Sequence, residues 1–213
     1  YKYLLSAFHV QGLSELAMKH RRELILEEVP SGVEHLHVIL EAIDRKVVVE
    51  FDYHSFNRQA VKHHECIPCF LKTWEQRWYL IAEPLNRKNP SVYALERISN
   101  LQLTEQQLSP SPHINPQSYF EGCYGVNHED CNPVPIKIKV YGSQVDYVRA
   151  RPIHASQEEV EQGDGWSVFS YWLRPSYNFY QMLLWHRERV EVMEPEEVRG
   201  EMKKIVNQIS KQY

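Results

Sequence analysis

The chain has 213 residues, 43% of them hydrophobic, enough for two compact domains with buried cores. Its 24 Lys and Arg against 28 Asp and Glu leave a formal charge of −4, which argues against a protein that binds nucleic acid over its whole surface. No apolar run approaches the roughly 20 residues that span a bilayer, and the first ten residues lack a basic start and a cleavage pattern, so the expectation is a cytoplasmic protein without membrane contact.

Leu13, Leu16, Ala17, His20 and Leu24 recur at helical spacing and predict a helix over 12–28, ended by Pro30-Ser31-Gly32. Val33, Leu36, Leu40 and Ile43 predict a second helix, so residues 1–43 read as a helical linker region. The β-branched and aromatic run from Val47 to Tyr53 predicts a strand, and Ser55-Phe56-Asn57-Arg58 a turn. Further strands are expected over 64–72, 77–83, 91–95 and 98–104. Five short antiparallel strands within 44–108 suit a small barrel. The prolines at 110, 112 and 116 and the acidic stretch behind them mark a connecting segment, 109–133.

Pro135 to Tyr141 alternates strictly and predicts a strand, with a short helix over 144–149. The next stretch admits two readings. Ser156 with Glu159 fits a helix-opening capping box, whereas Gly163-Asp164-Gly165 fits a hairpin turn into a strand over 166–173. Ser176 is placed to cap a helix through Trp185, Val190-Glu191-Val192 reads as a strand, and Pro195 opens a last helix to about Ile209. With the hairpin, 134–213 has the order β-α-β-β-α-β-α of a ferredoxin-like domain with one added helix, and the fold class is α+β.

Residues 44–104 carry nine Lys or Arg against seven Asp or Glu, whereas 105–133 carry four acids and no base, so an anion site is expected in the first segment. Arg77 and Arg97 flank its strands, and guanidinium groups hold phosphate in a bidentate fork. Tyr53, Tyr79 and Tyr93 offer stacking faces, and Lys72 a further cation. Pairing of either arginine with Glu75 or Glu96 is the structural alternative. Arg149, Arg151, His154 and Gln157 form a secondary candidate edge for single-stranded nucleic acid. Eight aromatic residues between Trp166 and Trp185 exceed what one small core needs, which predicts an interface.

Cys66 and Cys69 form a Cys-x-x-Cys, with zinc, redox and plain packing as its readings; the strand-like context and the wide spacing of Cys123 and Cys131, even with His128 between them, favour packing. His63, His64, Glu65 and Cys66 do not make a catalytic set, because neighbours on a strand point to opposite faces. No glycine-rich phosphate loop is present. The expectation is a protein that is not an enzyme and needs no cofactor or metal.

Trp78-Tyr79-Leu80, with Arg77 ahead, Glu96-Arg97-Ile98 behind and Phe51-Asp52-Tyr53 and the stretch from Pro68 to Lys72 before it, resembles the signature of the WYL family of bacterial regulators. Pro152 to Gln157 and Val190 to Pro195 resemble the C-terminal extension that often follows it, which favours the strand reading of 156–173. One departure is Ile67, where many relatives carry a histidine. The resemblance implies an SH3- or Sm-like barrel that senses a nucleotide or single-stranded nucleic acid through Arg77, Arg97, Tyr53, Tyr79, Tyr93 and Lys72. It also implies a homodimer, and operator DNA read by a helix-turn-helix. No such motif is visible in this chain, which begins at Tyr1 without methionine, so it is expected upstream. A protein-protein adaptor without a nucleic-acid ligand is the alternative.

Overall fold

The structure, a computed structural model, describes residues 32–56, 59–87, 89–107, 114–127 and 131–213. The helix expected over 12–28 with Pro30 and Ser31, Asn57 and Arg58 of the first turn, the prolines at 110 and 112, and His128 lie outside those residues.

Gly32 has φ 69°, and a Cβ there would meet the Leu95 side chain at 2.3 Å, so the chain needs a glycine where it enters the fold. A 3-10 turn over Val33–His35 leads into helix α1, Leu36–Arg45. Ile39 and Ala42 are fully buried, with Leu36 and Ile43 beside them, whereas Val33 and Leu40, assigned by spacing to the same stripe, are 54% and 55% exposed. The apolar face is thus turned by one position from the expected one.

Strands β1 (Val47–Ser55), β2 (Ala60–Trp74), β3 (Arg77–Pro84), β4 (Ser91–Ala94) and β5 (Ile98–Gln107) pair antiparallel in the order β4-β3-β2-β1-β5. The two-residue period sorts their side chains. Val49 and Phe51, Leu80 and Ala82, Tyr93, Leu95 and Ile98 pack with α1 in one core, and Trp78 joins it. Tyr79 and Ala94 turn the other way and meet Val126 from the connecting segment. The β2–β3 hairpin turns through Glu75 at φ 47° and Gln76 at φ 63°, the left-handed pair used by two-residue loops. β4 and β5 are the edges, and among the described residues no pairing joins them. The described residues form a five-stranded antiparallel sheet, and no pairing among them closes it into the small barrel that the sequence leads one to expect.

Asn115 caps a short helix, α2 (Pro116–Tyr119), its Oδ1 accepting from Gln117 N at 2.8 Å and Ser118 N at 3.3 Å. Phe120 and Tyr119 stand edge-on against Phe70 of β2, so the connecting segment packs on the first sheet.

The second unit runs β6 (Val134–Tyr141), α3 (Gln144–Ala150), β7 (Glu158–Gly163), β8 (Trp166–Leu173), α4 (Tyr177–Trp185), β9 (Val190–Glu194) and α5 (Glu196–Ser210). Its sheet is antiparallel in the order β7-β8-β6-β9. The hairpin reading of 156–165 is the one observed, and Ser156 Oγ accepts from Trp172 N at 2.9 Å instead of opening a helix. Ile136, Ile138, Phe169, Tyr171, Phe179 and Leu183 fill the core. Ser176 stands at the start of α4 but makes no capping bond, and its Oγ is buried without a hydrogen-bond partner. Pro195 is the residue before α5 and not part of its first turn. Of the eight late aromatics, Trp172, Tyr177 and Trp185 are 47%, 64% and 84% exposed. No helix among the described residues is long and apolar enough to cross a membrane.

Candidate functional site

Arg77 and Tyr79 are two residues apart on β3 and so share a face, the one turned away from α1. Arg97 ends the 3-10 turn Leu95–Arg97 that follows β4, and β4 pairs with β3, which is how residues distant in sequence converge. Together with Tyr53 and Trp74 they line one wall of a cleft of about 590 Å³. Asn127 of the connecting segment and Asn178 and Gln181 of α4 supply another wall of its lining. The volume falls in the range of about 300–1,000 Å³ usual for small-molecule sites.

Glu96 stands between the two cations, its Oε1 3.4 Å from Arg77 Nη1 and 3.8 Å from Arg97 Nε, with its side chain 12% exposed. The Glu96 carboxylate is shared by both guanidinium groups, and Glu75, exposed on the same lining, brings the formal charge of the four groups to zero, so the arginines offer an anion their N–H donors more than a net positive field. Arg97 lies over the Phe56 ring at 3.9 Å, which fixes the plane of its fork. Arg97 Nε and Glu96 Oε2 are both buried without a hydrogen-bond partner, a costly state that a bound water or ligand would relieve. Burial, and then the nearby Glu96, push the Tyr79 hydroxyl above its ordinary pKa, so it stays a neutral donor. Tyr53 OH accepts from Ala94 N at 3.3 Å, which sets its ring beside the cleft.

Two other residues of the predicted ligand set sit elsewhere. Tyr93 is 3% exposed in the first core, its hydroxyl 3.6 Å from the donating Cys66 thiol and 3.3 Å from His64 Nδ1, and burial raises its pKa well above the usual range. It backs Tyr53, ring centroids 5.1 Å apart, without lining the cleft. Lys72 Nζ donates to Gly125 O at 2.6 Å and lies 3.7 Å from the centre of the Phe120 ring, so it ties β2 to the connecting segment. Burial lowers its pKa.

The secondary candidates stay within the second unit. Arg149 is engaged by Glu159 at 2.5 Å and Asp146 at 3.2 Å. Gln157 Oε1 accepts from Ile153 N and Tyr171 OH, both at 3.0 Å, and its Nε2 donates to Val148 O at 3.0 Å, so its amide is held by three structural bonds. His154 Nδ1 meets Ser156 Oγ at 2.8 Å, and burial lowers its pKa. Arg151 is exposed just after α3. Burial pushes Cys66 to about 11 and Cys69 to about 12, so both are thiols near neutral pH. Among the described residues no group of three or more His, Cys, Asp or Glu could hold a metal.

Trp74, Asn127, Asn178 and Gln181 are the aromatic and polar lining residues that sequence reasoning missed. One signal pointed to Asn178: it interrupts an apolar helical run, and a polar group at a buried helical position has to be paired. At 5% exposure, its Oδ1 accepts from Asn127 N at 3.1 Å and Val126 N at 3.4 Å. Gly125 lies so close that a Cβ would sit 2.7 Å from Asn178 Oδ1, and its φ of 85° also favours glycine.

A family model of the WYL domain matches residues 34–103, and one of the WCX domain matches residues 132–210. Proteasome accessory factor B/C (PafBC) of Arthrobacter aurescens is similar over 88% of this chain at 18% identity, with a TM-score of 0.38. A CRISPR Cas-related protein is similar over 83% at 14% identity, with a TM-score of 0.48. This chain covers 28% of the first of those structures and 50% of the second. No curated protein matches it.

Proposed function

The chain belongs to the WYL-domain proteins, with a WCX domain behind the WYL domain, and from that premise we propose that it is the sensing region of a bacterial transcriptional regulator. Its cleft takes a nucleotide or a single-stranded nucleic acid, and a helix-turn-helix of the same regulator reads operator DNA. The observation that carries this is the convergence of Arg77 and Arg97 on one cleft with Tyr53, Trp74 and Tyr79. Stacking is worth about 1–3 kcal/mol per base. Two such faces with two charge-assisted contacts are compatible with micromolar affinity, about −8 kcal/mol. The role is binding and not catalysis. The order β4-β3-β2-β1-β5 supports an SH3- or Sm-like description of the first sheet, and β7-β8-β6-β9 a ferredoxin-like second domain.

Fluorescence anisotropy with labelled single-stranded and duplex oligonucleotides across a salt series tests the reading. Single strands are expected to bind at low salt and to weaken as salt rises. No binding at low salt, or equal and salt-insensitive binding of both forms, refutes it. The exposed Trp185, Tyr177 and Trp172 favour a second role in protein contacts, here the homodimer. Light scattering is expected to give twice the 25.3 kDa of one chain, and a monomer at high micromolar concentration refutes dimerisation by this region. Should the protein bind no nucleic acid yet assemble through those rings, the adaptor reading replaces the sensor.

A further inference from the structure

We propose that the wall of the cleft supplied by the connecting segment and α4, through Asn127 and Gln181, reads the base of a nucleotide whose phosphate Arg77 and Arg97 hold. This rests on the nucleotide reading of the cleft and adds its specificity determinant. The two walls differ in chemistry: one carries two guanidinium groups and aromatic rings with the Glu75 carboxylate at the lining, the other three amides without formal charge. A phosphate is drawn to the first wall. The second offers paired donors and acceptors, which is what a base edge engages and a phosphate does not require.

The three amides are not equivalent. Asn178 is 5% exposed and committed to the backbone, its Oδ1 taking Asn127 N and Val126 N, so it is a positioning residue. Its Nδ2 donates to Gln181 Oε1 at 3.4 Å, which orients the Gln181 amide while the Nε2 carries two further donors. Asn127 is pinned by its backbone while its side chain is exposed on the lining. On the arginine wall, the half-buried Trp74 supplies a face for the base, with the largely buried Tyr79 beside it. The same bound unit therefore touches the WYL domain and the WCX domain, and its base identity is sensed by Gln181 of the latter together with Asn127 of the connecting segment.

The test uses the full chain with fluorescein-labelled dA, dC and dT hexamers by anisotropy, and ribose 5-phosphate as a competitor without a base. Wild type is expected to discriminate among the three hexamers. The Asn127→Ala/Gln181→Ala double variant is expected to lose about tenfold in affinity for the preferred hexamer and to bind all three alike, with competition by ribose 5-phosphate unchanged. Both side chains are exposed, so the fold is expected to survive. Gln181→Glu keeps the acceptor for Asn178 and replaces the donors with negative charge, and is expected to bind as weakly as the double variant or more so. Unchanged affinity and preference in the amide variants, with binding lost in Arg97→Ala, overturns this inference and leaves the cleft as a phosphate site. Wild-type binding without base preference overturns it equally. Full binding by Arg97→Ala, or no hexamer binding by wild type, overturns the inference together with the reading beneath it.

Discussion

Asn178→Ala removes the acceptor that holds residues 126 and 127 against α4. Two backbone N–H groups lose their partner, at 3.1 Å for Asn127 and 3.4 Å for Val126. Asn127 is exposed and recovers a hydrogen bond from water, so its loss is the ordinary net value of about 1 kcal/mol. Val126 is 6% exposed and packed on Tyr79 and Ala94, so its N–H is left unsatisfied, at about 1–3 kcal/mol; the long starting bond puts it at the low end of that range. The expected total is about 2–3 kcal/mol, and for 150–250 residues each kcal/mol lowers Tm by about 2–4 °C, giving a drop of about 5–10 °C. Differential scanning calorimetry measures it. Gln181→Ala removes the other contact of the same side chain but not the acceptor, and is expected to shift Tm by less than about 2 °C, as exposed substitutions do. A shift equally small in Asn178→Ala would show that water satisfies Val126 N–H and that the seam needs no asparagine.

Alanine at Arg77 or Arg97 is expected to weaken oligonucleotide binding by about 1.5–3 kcal/mol by anisotropy, because a charge-assisted contact is lost. Lysine at either position keeps the charge but not the planar fork and is expected to restore only part of the affinity; full affinity in both alanine variants removes the cleft from consideration. Lys72→Met is expected to lower Tm without changing the salt dependence of binding, since it loses the Gly125 contact and the Phe120 face but no ligand group; a reduced salt slope would place Lys72 at the ligand after all. His64, His154 and His186 have pKa values held below 6.5 chiefly by burial, with Arg87 adding to the effect at His64. The folded state therefore binds fewer protons than the unfolded one just below pH 6.5, so stability is present above that pH and is lost as pH falls through it. Urea midpoints are expected to be lower at pH 5.5 than at pH 7.5, with a smaller difference in His64→Gln. Equal midpoints would mean that these rings are solvated.

Local pattern carried most of the secondary structure. The alternation around Trp78-Tyr79-Leu80 put Trp78 and Leu80 in one core and Tyr79 in the other cluster, as a two-residue period requires. The Gly163-Asp164-Gly165 turn outweighed the Ser156 capping signal because β7 gains a ladder with β8. Helix α2 was readable and missed: Asn115-Pro116 is a cap followed by a first-turn proline. The cleft was half legible. Arg77, Tyr53 and Tyr79 meet there because they stand on strands of one sheet, and Arg97 joins them because its 3-10 turn directly follows β4 of that sheet. Asn127, Asn178 and Gln181 arrive from residues far along the chain, and nothing in their local spacing says which sheet they face. Tyr93 and Gln157 show the converse, since a polar tip that looks available in sequence is consumed by partners that only the tertiary fold supplies.

Lys72 reaching Gly125, and Asn178 reaching Val126 and Asn127, make residues 125–127 a shared keystone that neither family module contains within its own borders. Lineages that shuffle WYL and WCX modules as separate cassettes would have to inherit this bridging piece with them. An exchange made at the edge of either module strands a half-buried lysine and uncovers Tyr79 and Ala94. Recombination is thereby steered toward transplanting the pair whole.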